Sequence, residues 1–190
     1  TASNNTAVGK DSLKANTTGG QNVAIGTLAT ACNTTGGSLV SMGYEALCAN
    51  TTGSSNVAIG RESLRHNTTG TSNVAFGHLA LAANTTASNN VALGTATMQS
   101  TTTGCKNVAI GQGALNTNTT GGSNVAIGCG ALVFNTTANN NVAVGFAAGR
   151  KTTTGAGNTT VGTNAGCNIT TGSNNQFFGD IAGTDAVRNT

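Results

Sequence analysis

The sequence predicts an all-β protein, a parallel β-solenoid wound from eleven coils of seventeen residues. Three observations support this fold class. The segment Asn-Val-Ala-Ile-Gly, as at 124–128, recurs every seventeen residues with no insertion. Glycine follows the apolar residues in every copy, and those residues alternate with small ones, as in a strand with one buried face. A fixed period of this size is typical of a solenoid, in which each unit packs only on its neighbours.

The repeat unit has the consensus N-V-A-I-G-x-x-A-L-x-x-N-T-T-G-x-S, and its seventeen positions are numbered from the first Asn. The eleven units begin at Asn5, Asn22, Leu39, Asn56, Asn73, Asn90, Asn107, Asn124, Asn141, Asn158 and Asn175. We therefore expect one continuous array over 1–190. The chain starts in mid-repeat, which predicts a segment of a longer fibre, because the ends of a solenoid need polar caps.

The last unit, 175–190, is degenerate. Gln176, Phe177 and Phe178 replace the Val-Ala-Ile pattern, and Val187 and Arg188 stand where the Thr pair belongs. We expect this unit to begin a transition to a different segment.

Each position of the unit has an expected place in the coil. Alternation predicts that positions two and four, such as Val108 and Ile110, point inward and that Ala109 between them points outward. Glycine at position five ends the strand in a turn. Positions six, seven, ten and eleven hold nearly all the charge and should face water. Leu at position nine should point inward from a short second strand, so that the coil is flattened between two sheets.

The turn that closes the coil is predicted at N-T-T-G, since Asn and Gly tolerate positive φ and Asn and Thr side chains bond local backbone. Eleven coils would then stack to roughly 50 Å. The core of such a coil is thin, so side-by-side association of several chains would help to stabilise it. The small Ala at position three offers a flat outer face for this contact, and a homotrimer is the expected assembly.

The five cysteines do not follow the repeat, which argues against a disulfide framework. Their number is odd, so at least one is free or pairs with another chain. Cys32 and Cys48 are sixteen residues apart, nearly one period, and form the one intrachain pair that adjacent coils should bring close. The alternative is that all five, with Cys105, Cys129 and Cys167, are small apolar fillers.

Composition argues against several classes of function. Only 7% of residues are charged and 3% aromatic, and Lys and Arg lack aromatic neighbours that could stack on bases, so no nucleic-acid partner is expected. No apolar run is long enough for membrane insertion. His66 and His78 fall at different repeat positions and should be exposed, and the acids form no ladder. We expect no enzyme activity, no catalytic residues, no cofactor and no metal site.

The Asn-Thr-Thr segments raise two further hypotheses. Ten Thr pairs recur without a gap, so ice binding by Thr ladders is one candidate function, although adjacent residues of a strand point to opposite sides. The same segments create sequons for N-glycosylation, although Asn and Thr also suit a tight turn. The candidate sites are Asn16, Asn33, Asn50, Asn67, Asn84, Asn118 and Asn135.

A third hypothesis is a glycan-binding or receptor-binding adhesin head. The repeats differ most at positions six, seven, ten and eleven, and a binding surface should lie where variation is allowed. These positions include Tyr44, Arg61, Arg65, His78, Val133 and Phe146.

The N-V-A-I-G-x-x-A/S segment resembles the head repeat of YadA-like trimeric autotransporter adhesins. The whole unit with N-T-T-G resembles the seventeen-residue arrays of phage tail-fibre-like proteins, and the resemblance covers essentially the whole chain. It implies a left-handed roll, three chains around one axis, and an extracellular, cell-surface or virion location. The expected function is a structural shaft or an adhesive segment of a fibre, with the chain itself and a host-surface glycan or protein receptor as partners. The resemblance leaves open the choice between bacterial adhesin and phage fibre.

Overall fold

The computed structural model describes residues 2–180 and shows a parallel β-solenoid of about ten coils. Each unit contributes one three-residue strand, and the eleven strands form a single parallel sheet in sequence order. The strands are β1 Thr6–Val8, β2 Val23–Ile25, β3 Val40–Met42, β4 Val57–Ile59, β5 Val74–Phe76, β6 Val91–Leu93, β7 Val108–Ile110, β8 Val125–Ile127, β9 Val142–Val144, β10 Thr159–Val161 and β11 Gln176–Phe178.

The register of the sheet keeps each residue on the equivalent residue of the next unit. Val125 pairs with Val142, Ala126 with Ala143 and Ile127 with Val144. The predicted fold class and period are therefore confirmed, whereas the handedness of the roll and the trimer stay predictions. No helix in the described part of the chain is long and apolar enough to cross a membrane.

The predicted orientation of the strands is wrong, because the alternation is inverted. Ala126 at position three is fully buried, Val125 is half-buried and Ile127 at position four is exposed. The physical reason is the width of the coil. Leu at position nine and Asn at position twelve project from the opposite wall, so in the coils that have Leu at position nine only Ala- or Ser-sized side chains fit under the sheet. The larger Val and Ile side chains point outward.

The predicted second strand is also wrong. Leu115 at position nine is fully buried, as expected, but its φ is 53°, in the left-handed region of the backbone. Its N–H donates to the Ala131 carbonyl of the next coil at 3.0 Å, and its carbonyl accepts from the Asn118 N–H in a local turn at 3.2 Å. The wall opposite the sheet is thus a series of tight turns, with ladder bonds to the adjacent coil, instead of a second sheet.

Glycine at position five ends the strand as predicted. Its φ is positive in all eleven units, at 130° for Gly128. A Cβ at Gly60 would lie 2.7 Å from the carbonyl carbon of Gly77 in the next coil. Both the backbone angle and the close stacking therefore require glycine here.

Two ladders of buried asparagines run along the coil. At position one, the Asn Oδ1 accepts the backbone N–H of the position-one residue of the next coil, as Asn107 does from Asn124 at 2.9 Å. At position twelve, wherever two successive coils both carry Asn, the side-chain amide of the later Asn donates to the Oδ1 of the earlier one, as Asn50 does to Asn33 at 2.8 Å. These bonds satisfy polar groups that would otherwise be costly to bury.

In one coil that departs from the consensus, larger residues at other positions fill the space that the missing Leu leaves in the core. Position nine of the unit that begins at Asn158 is Gly166 instead of Leu, and the space beside it is filled by Ile169 and by Phe177 of β11. Phe177 is buried, and β11 pairs with β10 in register, so the coil pattern continues into the degenerate unit. The predicted divergence at Val187 and Arg188 lies outside the described residues.

Candidate functional surfaces

The outward side of the sheet carries a long apolar surface. We call it the outer sheet face and define it as the side chains at positions two and four of β1–β11. Its position-two side chains are mostly half-buried Val. The most exposed members stand at position four, namely Val8, Met42, Phe76, Ile110, Ile127 and Phe178. Phe76 is 55% exposed and Phe178 60% exposed.

The size of this face follows from the register. Ten strand spacings give a length of roughly 50 Å, and two columns of side chains give a width of about 10 Å, or on the order of 500 Å². The largest apolar patch of a monomeric protein is typically of about this size and is often functional. The side chains are aliphatic and aromatic, so this face suits an apolar partner.

A charged network covers the variable positions of the third and fourth units. Arg65 forms salt bridges with Glu45 at 2.8 Å and with Glu62 at 3.1 Å. Arg61 forms a salt bridge with Glu62 at 2.8 Å. The Arg61 guanidinium also lies 5.9 Å from the centre of the Tyr44 ring. A hydrogen bond to the Glu45 carboxylate, followed by its negative charge, raises the pKa of Tyr44. Two acids balance two bases here, so the network binds neighbouring coils together and presents no net charge.

Next to this network lies a shallow recess lined by Glu62, Arg65, His66 and Gln99, among others. His66 and His78 are both exposed, as expected, and His66 stands at the rim of this recess. Within residues 2–180 no three His, Cys, Asp or Glu side chains cluster closely enough to hold a metal ion.

A second recess of about 280 Å³ lies between the eighth and ninth units and is aromatic. It is lined by Cys129, Val133, Phe134, Phe146 and Arg150, among others, with no acidic residue in the lining. The Arg150 guanidinium lies 5.8 Å from the centre of the Phe134 ring. Of the variable residues singled out from the sequence, Val133 and Phe146 meet here. Phe134 was missed, and its place at position eleven was the available signal.

The two Thr residues of each pair have different environments. The first Thr of each pair donates to a carbonyl of the next coil, as in Thr68 Oγ1 to the Thr85 carbonyl at 3.0 Å. The second Thr, such as Thr69, is exposed. The first Thr of these pairs therefore links neighbouring coils. One Thr column faces solvent, and ice binding stays a prediction.

The sequon asparagines form the position-twelve ladder. Asn33, Asn50, Asn67, Asn84, Asn118 and Asn135 are fully buried, and Asn16 is half-buried. Their side-chain amides donate hydrogen bonds inside the coil, as Asn67 does to Asn50 at 2.8 Å. A glycan on a ladder asparagine would have to displace these bonds. Glycosylation itself stays a prediction.

All five cysteines are unpaired thiols, with Cys32 and Cys129 exposed and the other three half-buried. Cys32 and Cys48 lie side by side on adjacent coils, as the spacing predicted, since the Cys32 N–H donates to the Cys48 carbonyl at 3.0 Å. Comparison with known protein families, with curated proteins and with solved structures finds no match to this chain.

Proposed function

We propose that this chain is a structural shaft segment of an extracellular or virion fibre, in which identical chains associate through the outer sheet face. The single observation that carries the proposal is the inverted strand. In β2–β9 the coil buries Ala or Ser and places Val, Ile, Leu, Met and Phe on the outer side, where they form one continuous apolar surface. The resemblance of the repeat to trimeric adhesin heads and phage fibre arrays supports three chains around one axis.

The contact between chains is therefore assigned to Val and Ile at positions two and four, whereas the sequence had pointed to Ala at position three. Apolar side chains in two straight columns can interdigitate with the same columns of another copy. Covering them removes surface that would otherwise stay in water and adds to the thin interior of each coil. In a symmetric assembly the same face of each chain takes part in the contact. Because that face repeats in every unit, the contact can extend along the whole length of the chains.

The test changes the outer sheet face without touching the interior. Ile59, Phe76 and Leu93 at position four of three successive units are replaced together by Lys. The matched control replaces Thr69, Thr86 and Thr103, exposed residues of the same three units on another side of the coil, by Lys. We expect sedimentation equilibrium to give a trimer for the parent and the control, and a monomer with a retained β circular dichroism spectrum for the face variant.

Two results would contradict this proposal. One is a parent chain that sediments as a stable, well-folded monomer at micromolar concentration. The other is a face variant that assembles as tightly as the control. A dimer that the Lys substitutions dissociate would keep the assigned contact surface and overturn the three-chain arrangement.

The aromatic recess supports a second candidate, an adhesin head that binds a glycan or protein receptor. Phe134 and Phe146 offer exposed rings on which a sugar can stack, and Arg150 supplies a positive charge that no acid of the lining neutralises. We expect glycan-array binding that Phe146→Ala abolishes and that His66→Ala, in the charge-balanced recess, leaves unchanged. Absence of binding to any glycan would favour a shaft without a head function.

A further inference from the structure

The Cys32 and Cys48 pair is a chemical feature that the proposed shaft does not use. The hydrogen bond between their backbones holds the two residues on adjacent coils, which are spaced like neighbouring strands at about 4.8 Å. A disulfide needs α-carbons about 4.4–6.8 Å apart. The ladder bonds on either side, Thr30 to Ala46 and Thr34 to Thr51, are both 2.9 Å, so the local backbone is regular.

The two thiols are also close enough to influence each other. After burial, the neighbouring Cys32 is the largest cause that raises the pKa of Cys48. Cys32 is exposed and Cys48 is half-buried beside Glu45 and Arg65. The other cysteines, at 105, 129 and 167, belong to three different units and to different positions of the coil.

We propose that Cys32 and Cys48 are a redox-modification site, at which a small-molecule disulfide oxidises the two thiols to an intrachain disulfide that staples the second coil to the third. The exposed Cys32 thiolate attacks one sulfur of the oxidant, whose S–S bond breaks and releases one thiol. Cys48 then loses its proton to water and attacks Cys32 Sγ, which releases the second thiol. In total two cysteine thiols lose two electrons and two protons, and one oxidant disulfide becomes two thiols.

The order of attack follows from the surroundings. Burial, and then the neighbouring Cys32 and Glu45, raise the pKa of Cys48, so at neutral pH it is protonated and slow to attack. Cys32 stands at the surface, where an oxidant reaches it first. Conversion of Cys32 to a mixed disulfide removes its thiolate charge from the neighbourhood of Cys48, which favours the second step.

The disulfide would join two coils whose shared interior is partly polar. Position nine of the second unit is Thr30 instead of Leu, and position three of the third unit is Ser41 instead of Ala. Their hydroxyls bond each other at 2.6 Å inside the coil. A polar pair in this place contributes less to the core than Leu against Ala, since it buries less apolar surface. A covalent link between the same two coils offsets that loss.

The chain carries its own controls. Trypsin cleaves after Lys14 and Arg61 with no site between them, so Cys32 and Cys48 share the peptide 15–61. Cys105, Cys129 and Cys167 fall in three separate peptides, 66–106, 107–150 and 152–188. The folded chain is treated with oxidised glutathione, quenched with acid, alkylated in denaturant, digested and weighed.

We expect peptide 15–61 to lose two hydrogens and to carry neither glutathione nor an alkyl group, while the three other cysteine peptides carry one or the other. In Cys32→Ser, the same peptide should carry one group on Cys48. Closure in the folded chain should exceed closure in denaturant by about tenfold or more at equal oxidant, because the fold holds the thiols together.

Three results would overturn the proposal. The first is a peptide 15–61 with two glutathione or alkyl groups under conditions that fully modify the other cysteines. The second is equal closure in the folded and the denatured chain, which would assign it to chain flexibility alone. The third is oxidation that links Cys32 or Cys48 only to other chains, seen as dimers on a non-reducing gel.

Discussion

Replacement of Thr101 by Asn should stabilise the coil, because it repairs a break in the position-twelve ladder. Thr101 stands where most other units have Asn, and Asn84 Oδ1 on the previous coil is buried with no hydrogen-bond partner. On the other side, the Asn118 amide donates to the Gly121 carbonyl at 3.0 Å within its own coil, but toward the previous coil it has only a long hydrogen bond to Thr101 Oγ1, at 3.4 Å. An Asn at 101 would donate to Asn84 and to the Gly104 carbonyl and would accept from Asn118, as the intact part of the ladder does.

The magnitude follows from these contacts. A buried acceptor without a partner costs about 1–3 kcal/mol, and each added hydrogen bond contributes about 0.5–1.5 kcal/mol net. Ordering the new side chain offsets part of this gain. Thr and Asn have nearly equal volumes, so no cavity or clash is expected. We therefore expect Thr101→Asn to raise the free energy of unfolding by about 1–2 kcal/mol, measured by urea denaturation followed by circular dichroism.

A second break supplies the control. Thr152 interrupts the same ladder, where Asn135 Oδ1 and Thr152 Oγ1 are both buried without partners. Thr152→Asn would satisfy Asn135, but its own Oδ1 would face Ile169, which has no donor. One unsatisfied atom remains where there were two, and Asn at 152 forms one hydrogen bond fewer than Asn at 101, so we expect a gain smaller by about 1 kcal/mol. Equal stabilisation by both variants, or no stabilisation by Thr101→Asn, would refute the ladder argument.

Three further predictions concern the turn, the interior and the thiol. Gly128→Ala should lower the free energy of unfolding by roughly 2–4 kcal/mol, because φ is 130° and a Cβ would strike the Gly145 carbonyl. Gly113→Ala, at φ 66° with open space around it, should cost only about 1–2 kcal/mol, and denaturation that ranks the two in reverse would contradict this account. Ala126→Leu should lower the free energy of unfolding by about 1–3 kcal/mol, because the larger side chain overfills the interior. No change in the same assay would indicate that the side chain at position 126 points outward. The pKa of Cys48 is raised on folding, so its contribution to stability is complete below the ordinary value of 9.0 and is lost as the pH rises above it. The urea midpoint of the parent chain should fall between about pH 8 and pH 10, and that of Cys48→Ser should fall less. Equal dependence of the two midpoints on pH would exclude a contribution from this thiol.

The sequence predicts which single residues are exposed in most cases, but it rarely predicts which of them come together in one recess. Their positions in the repeat unit predicted that Phe146 and Val133 face solvent, and in the structure both line one recess. Arg150, the cation of that recess, stands one unit beyond Val133, and no pattern of the sequence linked it to an aromatic ring. The pair Cys32 and Cys48 was predictable because its spacing is nearly one period, which translates directly into adjacency on neighbouring coils.

The sequence by itself determined the period, the parallel register, the eleven strand positions and the glycine turn, because a repeat without insertions stacks each residue on its own copy. Only the tertiary structure decided which side of the strand faces inward. Alternation shows which residues share a face, and hydrophobicity favoured Val125 and Ile127 for the interior. The coil is too narrow for them once Leu and Asn project from the opposite wall, so Ala126 lies inside. The same constraint of width turns the expected second strand into a series of left-handed bends, and it moves the predicted contact between chains from alanine to the exposed columns of valine and isoleucine.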